Sequence, residues 1–149
     1  MSNKWTALLL LATLLTFGVG SCLNDNEPAY MKSIYVAKEG YDGISIYFIL
    51  ADASGRSTTA DGTVDLTIRD GESNRLLYAN EWNVTKDDFV EATLGMGSFQ
   101  HTDTICNIGR ISYSEMNNVP DDEYAHGDVR VEFTTGNTTL SGEETIYFN

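Results

Sequence analysis

The sequence predicts an all-β domain of about seven or eight short strands. Most segments after Ser33 alternate apolar and polar residues, which is the period-two pattern of half-buried strands. Clusters of Gly, Asn, Asp and Ser separate these segments at intervals of about eight to twelve residues, a spacing typical of β-sandwiches. Hydrophobic residues make up 42% of the 149-residue chain, which is enough to form one packed core.

The strand segments differ in how many faces they bury. Residues 44–51 are apolar on both faces, which predicts a central strand. The other clear segments place their apolar residues on one face. These predicted inward-facing sets are Val64, Leu66 and Ile68; Leu76, Tyr78 and Trp82; Val129, Val131 and Phe133; and Ile146 with Phe148.

The connections between these segments carry turn residues. Residues 70–74 predict a five-residue hairpin loop, and Gly136-Asn137 predicts a tight turn before the last strand. Gly43 and Gly62 each precede a strand, where a positive φ is often required, and we expect that conformation at both.

Two segments break the alternating pattern. Thr85 followed three residues later by Asp88 predicts a capped single turn of helix. Residues 95–113 predict one strand ending near Cys106, a kink at Gly109, and a second short strand from Arg110 to Tyr113.

The N-terminus has the features of a secretory signal. Lys4 is the only charged residue before Asp25, and residues 6–20 are apolar apart from three threonines and two glycines. Fifteen residues span about 22 Å as a helix, less than the roughly 30 Å hydrocarbon core of a bilayer. A helical signal peptide over residues 1–21 therefore fits better than an anchor helix that is retained in the mature protein.

The end of this segment reads Val19-Gly20-Ser21-Cys22. It resembles the lipobox of prokaryotic, including archaeal, membrane lipoproteins, in which small residues precede a cysteine that is lipidated and becomes the mature N-terminus. The resemblance implies lipidation of Cys22 and attachment to the membrane through an N-terminal lipid. The alternative is a plain secretory signal, in which case the protein is secreted and Cys22 is free to pair with Cys106.

Three regions follow from these patterns. Residues 1–21 form the signal peptide, residues 22–32 the lipidated cysteine and a flexible tether, and residues 33–149 the β-sandwich domain. The final Val-x-Val-x-Phe segment, Gly-Asn turn and last strand look like the closing hairpin of immunoglobulin-like and fibronectin-III-like modules. That resemblance implies an immunoglobulin-like antiparallel sandwich, with a small closed barrel as the alternative fold.

The charge excludes one class of partner. The chain has 22 Asp and Glu against 9 Lys and Arg, a formal net charge of −13. Such a surface cannot neutralise a run of phosphates, so a nucleic-acid partner is not expected.

No catalytic motif surrounds the cysteine of the predicted domain. Cys106 as a nucleophile would need His101 or His126 as its base, but an apolar strand position predicts a structural role instead. His101 with Asp103 and His126 with Asp128 suggest metal ligation, yet zinc normally takes three or four protein ligands. We therefore expect surface histidines, and no enzyme.

An acidic segment and two sequons remain as candidate sites. Asp121, Asp122 and Asp128 offer the oxygen ligands that calcium prefers, but their spacing matches no known calcium loop, so a solvated loop is expected and a structural calcium site is the alternative. Asn83 and Asn137 each begin an Asn-x-Thr sequon and are candidates for N-glycosylation. Tyrosines that are candidates for a ligand-contacting patch lie at positions 30, 35, 41, 113 and 124.

The sequence as a whole predicts a cell-surface lipoprotein whose domain is a non-catalytic binding or interaction module for a protein or surface ligand. A structural or accessory subunit of a surface or membrane assembly is the alternative, and an enzyme ranks last. No cofactor is expected, with calcium as the alternative.

Overall fold

The computed structural model describes residues 26–148. The predicted signal peptide, Cys22 and the first residues of the tether lie outside this range. The described chain forms nine strands: β1 (Tyr30–Lys38), β2 (Gly43–Ala51), β3 (Ser57–Thr58), β4 (Gly62–Asp70), β5 (Leu76–Val84), β6 (Phe89–Leu94), β7 (His101–Ser112), β8 (His126–Thr135) and β9 (Thr138–Tyr147). Single turns of 3₁₀ helix lie at Lys86–Asp88, Gly97–Phe99 and Tyr113–Glu115.

The strands form two antiparallel sheets. Sheet A has the order β1-β2-β7-β6, with the short β3 also paired to β2, and sheet B has the order β5-β4-β8-β9. In immunoglobulin nomenclature these are the sheets A-B-E-D and C′-C-F-G, the Greek-key order of that fold. The predicted all-β, immunoglobulin-like sandwich is therefore confirmed.

The core lies between the inner faces of the two sheets. Phe48 of β2, Phe89 of β6 and Phe133 of β8 meet at its centre, with ring centroids 5.7–6.4 Å apart. Phe48 and Phe133 have no exposed surface. The predicted inward-facing residues of β4, β8 and the last strand are all buried: Val64, Leu66, Ile68, Val129, Val131, Phe133, Ile146 and Phe148.

The two ends of the sandwich carry different connections. β1 begins at the end that we call the proximal end, which also holds residues 52–61, the β6–β7 hairpin tip (95–100) and the β8–β9 turn. The distal end holds residues 39–42, 71–75 and 113–125. Among residues 26–148, no helix has the length and apolar character needed to cross a membrane.

The domain starts earlier than predicted. β1 begins at Tyr30, so residues 30–32, which the sequence pattern assigned to the tether, belong to the sheet. The Ala29 N–H also donates to the Ala51 carbonyl at 2.7 Å, and Thr58 Oγ1 donates to the Asn26 carbonyl at 2.5 Å. The segment immediately before β1 is thus fastened to β2 and β3.

The predicted inward face of β5 is wrong at Leu76. Tyr78 pairs with Ile68 and Leu76 pairs with Arg69, so Leu77 is the extra residue of a bulge. Leu77 is fully buried in the core, whereas Leu76 is 39% exposed. Tyr78 and Trp82 pack against the core as predicted.

The predicted break near Gly109 is a bulge within one continuous strand. β7 runs from His101 to Ser112, and Ile108 is the extra residue because Asn107 and Gly109 pair with successive residues of β2. Gly109 has a φ of 111°, which a side chain would strain. The site of the irregularity was predicted correctly, but the prediction of two separate strands was wrong.

The glycines that open β2 and β4 are required for a different reason than predicted. Neither Gly43 nor Gly62 is among the described glycines with positive φ. A Cβ on Gly43 would lie 2.9 Å from the Ile111 carbonyl oxygen, and one on Gly62 would collide with the Thr134 carbonyl. Close backbone approach, and not turn conformation, therefore selects glycine at both positions.

The other predicted connections are confirmed. The loop between β4 and β5 has the predicted five residues but covers 71–75, one residue later than the predicted 70–74. Gly136 adopts a φ of 56° in the turn between β8 and β9. Thr85 precedes a single helical turn, and the Asp88 carboxylate accepts from the Thr85 backbone N–H at 2.7 Å. This contact is one half of the predicted capping box.

Candidate functional site

Cys106 lies on the inner face of β7 and is 1% exposed. Burial, together with the negative charge of Asp88, raises the pKa of its thiol to about 12. Since the thiolate is the nucleophilic form, burial and the raised pKa both disfavour nucleophilic reactivity near neutral pH. Its geometry supports the predicted structural role.

Neither histidine is placed to activate that cysteine. His101 lies five residues before Cys106 on the same strand, so alternation puts the two side chains on opposite faces of sheet A. His126 belongs to sheet B, where its ring packs 6.0 Å from that of Tyr147. The Cys–His arrangement required for nucleophilic catalysis is not formed.

An ion pair lies on the outer face of sheet A. Lys32 Nζ on β1 contacts both carboxylate oxygens of Asp103 on β7, at 3.0 and 3.1 Å, and His101 Nε2 lies 3.3 Å from the same carboxylate. The Asp103 side chain is only 6% exposed. The candidate pair His101 and Asp103 is therefore in contact, but the same carboxylate is already held by Lys32, and no third metal-ligating side chain joins them within residues 26–148.

The Lys32–Asp103 ion pair reaches across β2, the strand that lies between the strands of its two partners. β2 separates β1 from β7 in sheet A, so the Lys32 side chain has to cross β2 to reach Asp103. It does so at the level of Ile49 and Ala51, two residues on the outer face that are fully buried. No local pattern indicates this contact, since its partners are 71 residues apart and Lys32 falls in the predicted tether.

The three carboxylates predicted to bind calcium are not brought together. Asp128 lies in β8, paired with Arg69 of β4 and Thr145 of β9, and its side chain is exposed on the outer face of sheet B. Asp121 and Asp122 lie in the distal loop that precedes β8. Within residues 26–148, no three His, Cys, Asp or Glu side chains group in a way that could hold a metal.

A polar groove runs across the outer face of sheet B. It has a volume of about 490 Å³. Its lining is entirely polar or charged, from Thr67, Arg69, Asn74, Asp128, Arg130, Glu143, Glu144 and Thr145. In the sequence these residues are simply the polar half of alternating strands, so they were not predicted as a site.

Both arginines of this groove donate hydrogen bonds to neighbouring groups. Arg130 donates to Glu132 at 2.9 Å and to Glu143 at 3.3 Å, and these hydrogen bonds raise the pKa of its guanidinium. Arg69 donates to the Asn74 carbonyl at 3.0 Å. The groove therefore offers oriented donors beside carboxylate and hydroxyl acceptors, an arrangement suited to a polar ligand.

The predicted sequons and tyrosines are distributed over the surface. Asn83 is exposed near the end of β5, and Asn137 is exposed in the β8–β9 turn. Tyr30 and Tyr35 belong to β1, Tyr41 and Tyr124 to the distal loops, and Tyr113 packs edge-on against Phe148 at 5.6 Å. The five tyrosines do not form a single patch.

The chain matches no protein-family model, no curated protein and no solved structure. A function therefore has to be inferred from the surfaces described above.

Proposed function

We propose that this protein is an extracytoplasmic lipoprotein, anchored through a lipid on Cys22, whose sandwich is a non-catalytic binding module. The groove on the outer face of sheet B is its ligand-binding surface. The observation that carries the binding role is the pair of hydrogen-bonded arginines, Arg69 and Arg130, set among acceptor side chains in one groove.

The contacts of residues 26–29 support close attachment to the membrane. Asn26 and Ala29 are hydrogen-bonded to the domain, so only residues 23–25 separate its first fixed residue from Cys22. The four Cα–Cα steps from Cys22 to Asn26 span at most about 14 Å when fully extended. A lipid on Cys22 would therefore hold the proximal end of the sandwich near the membrane.

The anchor is tested by intact mass and membrane fractionation of the full-length protein. We expect cleavage before Cys22, added acyl mass, and recovery in the membrane fraction. Cys22→Ser should release the protein from that fraction. Cys106→Ser is the matched control because it removes the other cysteine of the chain and should leave the protein on the membrane. An unmodified Cys22 in the wild-type protein contradicts the anchor.

The groove is tested by co-purification in mild detergent from the native membrane. A partner retained by the wild-type protein should be lost from the double variant Arg69→Ala/Arg130→Ala. Arg110→Ala is the control, since Arg110 pairs with Asp42 near the distal end and lies outside the groove. Equal recovery of the partner by all three proteins contradicts a role for the groove.

The alternative of a structural subunit is favoured by β5, a nine-residue edge strand with Ala79, Asn80 and Glu81 exposed. An unpaired edge offers backbone groups to a strand from another chain. Concentration-dependent oligomers that Asn80→Pro abolishes would favour this alternative over the groove.

The non-catalytic part of the proposal is tested at Cys106. Because the thiol is buried and its pKa is raised to about 12, iodoacetamide at neutral pH should not label the folded domain. Mass spectrometry should show labelling of Cys106 only after denaturation. Rapid labelling of the native protein contradicts the structural role of this cysteine and revives an enzyme function.

A further inference from the structure

The tip of the β6–β7 hairpin exposes two large apolar side chains. Met96 and Phe99 are each 85% exposed. The contrast with the other phenylalanines of the described chain is sharp, because Phe48, Phe89, Phe133 and Phe148 are all at most 8% exposed.

An ordered turn presents these side chains. The Phe99 N–H donates to the Met96 carbonyl at 3.2 Å within a single turn of 3₁₀ helix. Gly95 and Gly97 adopt φ values of 88° and 59°, which glycine adopts without strain. The exposure of Met96 and Phe99 is therefore a consequence of the turn geometry.

The hairpin tip is also free of charge. Residues 92–102 contain no Asp, Glu, Lys or Arg, and this is the longest such stretch between Asn26 and Phe148. The rest of the chain is strongly acidic, with a formal net charge of −13. The tip therefore brings no carboxylate of its own towards anionic lipid headgroups.

The tip projects from the proximal end of the sandwich. Phe48 of β2 pairs with Cys106, and β7 extends five residues from there to His101 at the hairpin tip. β1 starts opposite Ala51, which is only three residues beyond Phe48. The hairpin therefore extends about 7 Å past the start of β1, before the tip residues are counted.

We propose that this hairpin tip inserts Met96 and Phe99 into the lipid interface as a second membrane contact beside the N-terminal anchor. The proposal rests on the lipid anchor of the proposed function. An aromatic and a thioether side chain are suited to the boundary between headgroups and acyl chains. Two side chains are a weak membrane contact alone, but the short tether makes their insertion an intramolecular event at high effective concentration.

The experiment uses tryptophan fluorescence of the full-length protein in phosphatidylcholine vesicles, with and without brominated acyl chains. Phe99→Trp is made in a background in which Trp5 and Trp82 are Phe. Tyr41→Trp in the same background is the matched control, because Tyr41 is a fully exposed aromatic residue at the distal end. We expect blue-shifted emission and loss of intensity with brominated lipid at position 99, and neither effect at position 41.

Vesicle flotation and intact mass of the same samples report on the anchor independently. Protein that floats with the vesicles while position 99 is unquenched overturns tip insertion and leaves the anchor intact. Quenching at position 99 in protein without acyl mass supports insertion and overturns the anchor. Protein that neither floats nor is quenched overturns both, and equal quenching at positions 41 and 99 overturns insertion at the proximal end.

Discussion

β2 is buried on both faces, but the two faces are buried by different means. On the inner face, Ile46 and Phe48 pack among the apolar side chains of both sheets. On the outer face, Ile49 and Ala51 are buried at the level of the Lys32–Asp103 ion pair, outside that core. Packing of apolar side chains depends on shape and volume, whereas burial at an ion pair depends on the presence of both charges.

The largest effect is expected at the inner face. Phe48→Ala removes the ring that touches both Phe89 and Phe133, and should lower the free energy of unfolding by about 3–5 kcal/mol. Tyr41→Ala, an exposed aromatic truncation, should change it by less than about 0.5 kcal/mol. Urea denaturation measures both, and similar values for the two variants would contradict a core centred on Phe48.

A smaller effect is expected at the outer face. Lys32→Met leaves the buried Asp103 carboxylate without its main partner and should cost about 1–3 kcal/mol of stability. The double variant Lys32→Met/Asp103→Leu should recover much of this loss, since it removes both charges. Arg110→Met breaks an exposed pair with Asp42 and should cost at most about 1 kcal/mol. If the double variant is no more stable than Lys32→Met, the loss of stability does not come from leaving the Asp103 carboxylate buried and unpaired.

The smallest effect concerns acid pH. Hydrogen bonds from Ser54 lower the pKa of Asp52 below its ordinary 3.8, and backbone N–H groups of Glu72 and Thr85 do the same for Asp70 and Asp88. Because the pKa of each carboxyl is lower in the folded state than in the unfolded state, each contributes to the free energy of unfolding above about pH 4. That contribution is lost as the pH falls through the pKa of the folded state. Thermal melting from pH 6 to pH 2 should therefore show a decline.

Two variants separate the titrating carboxylates from the apolar core in this experiment. Asp52→Asn should flatten the decline, whereas Phe48→Ala should lower the whole curve without changing its shape, because the aromatic core does not titrate. A wild-type melting temperature that is constant down to pH 2 would contradict the carboxylate contribution.

The sequence predicted the strands whose alternation the fold preserves. Val64, Leu66 and Ile68 face the core because their strand is paired without interruption over those residues. Leu76 was misplaced because a bulge in β5 shifts the alternation by one residue, and nothing in the local pattern marks the extra residue. Gly109 did mark its bulge, since its positive φ is a local property of the chain.

The candidate sites were less predictable because they depend on contacts between distant segments. Burial of Cys106 was predictable from its apolar neighbours, which are adjacent in sequence. The groove at Arg69 and Arg130 joins residues of strands that lie far apart in the chain, and only the sheet order brings them side by side. In the sequence, Phe99 looks like any other apolar residue. Its exposure becomes evident only from the geometry of the turn that carries it.

The contact between β1 and β9 has a mechanical consequence. β1 and β9 both run from the proximal to the distal end, and they lie together where the two sheets meet, with Gly142 close to Ile34 and Met31. A force pulling Tyr30 away from Tyr147 therefore acts along the strands and perpendicular to their hydrogen bonds. Such a load is shared by all the hydrogen bonds of each strand at once, so the domain resists extension in shear instead of opening one hydrogen bond at a time.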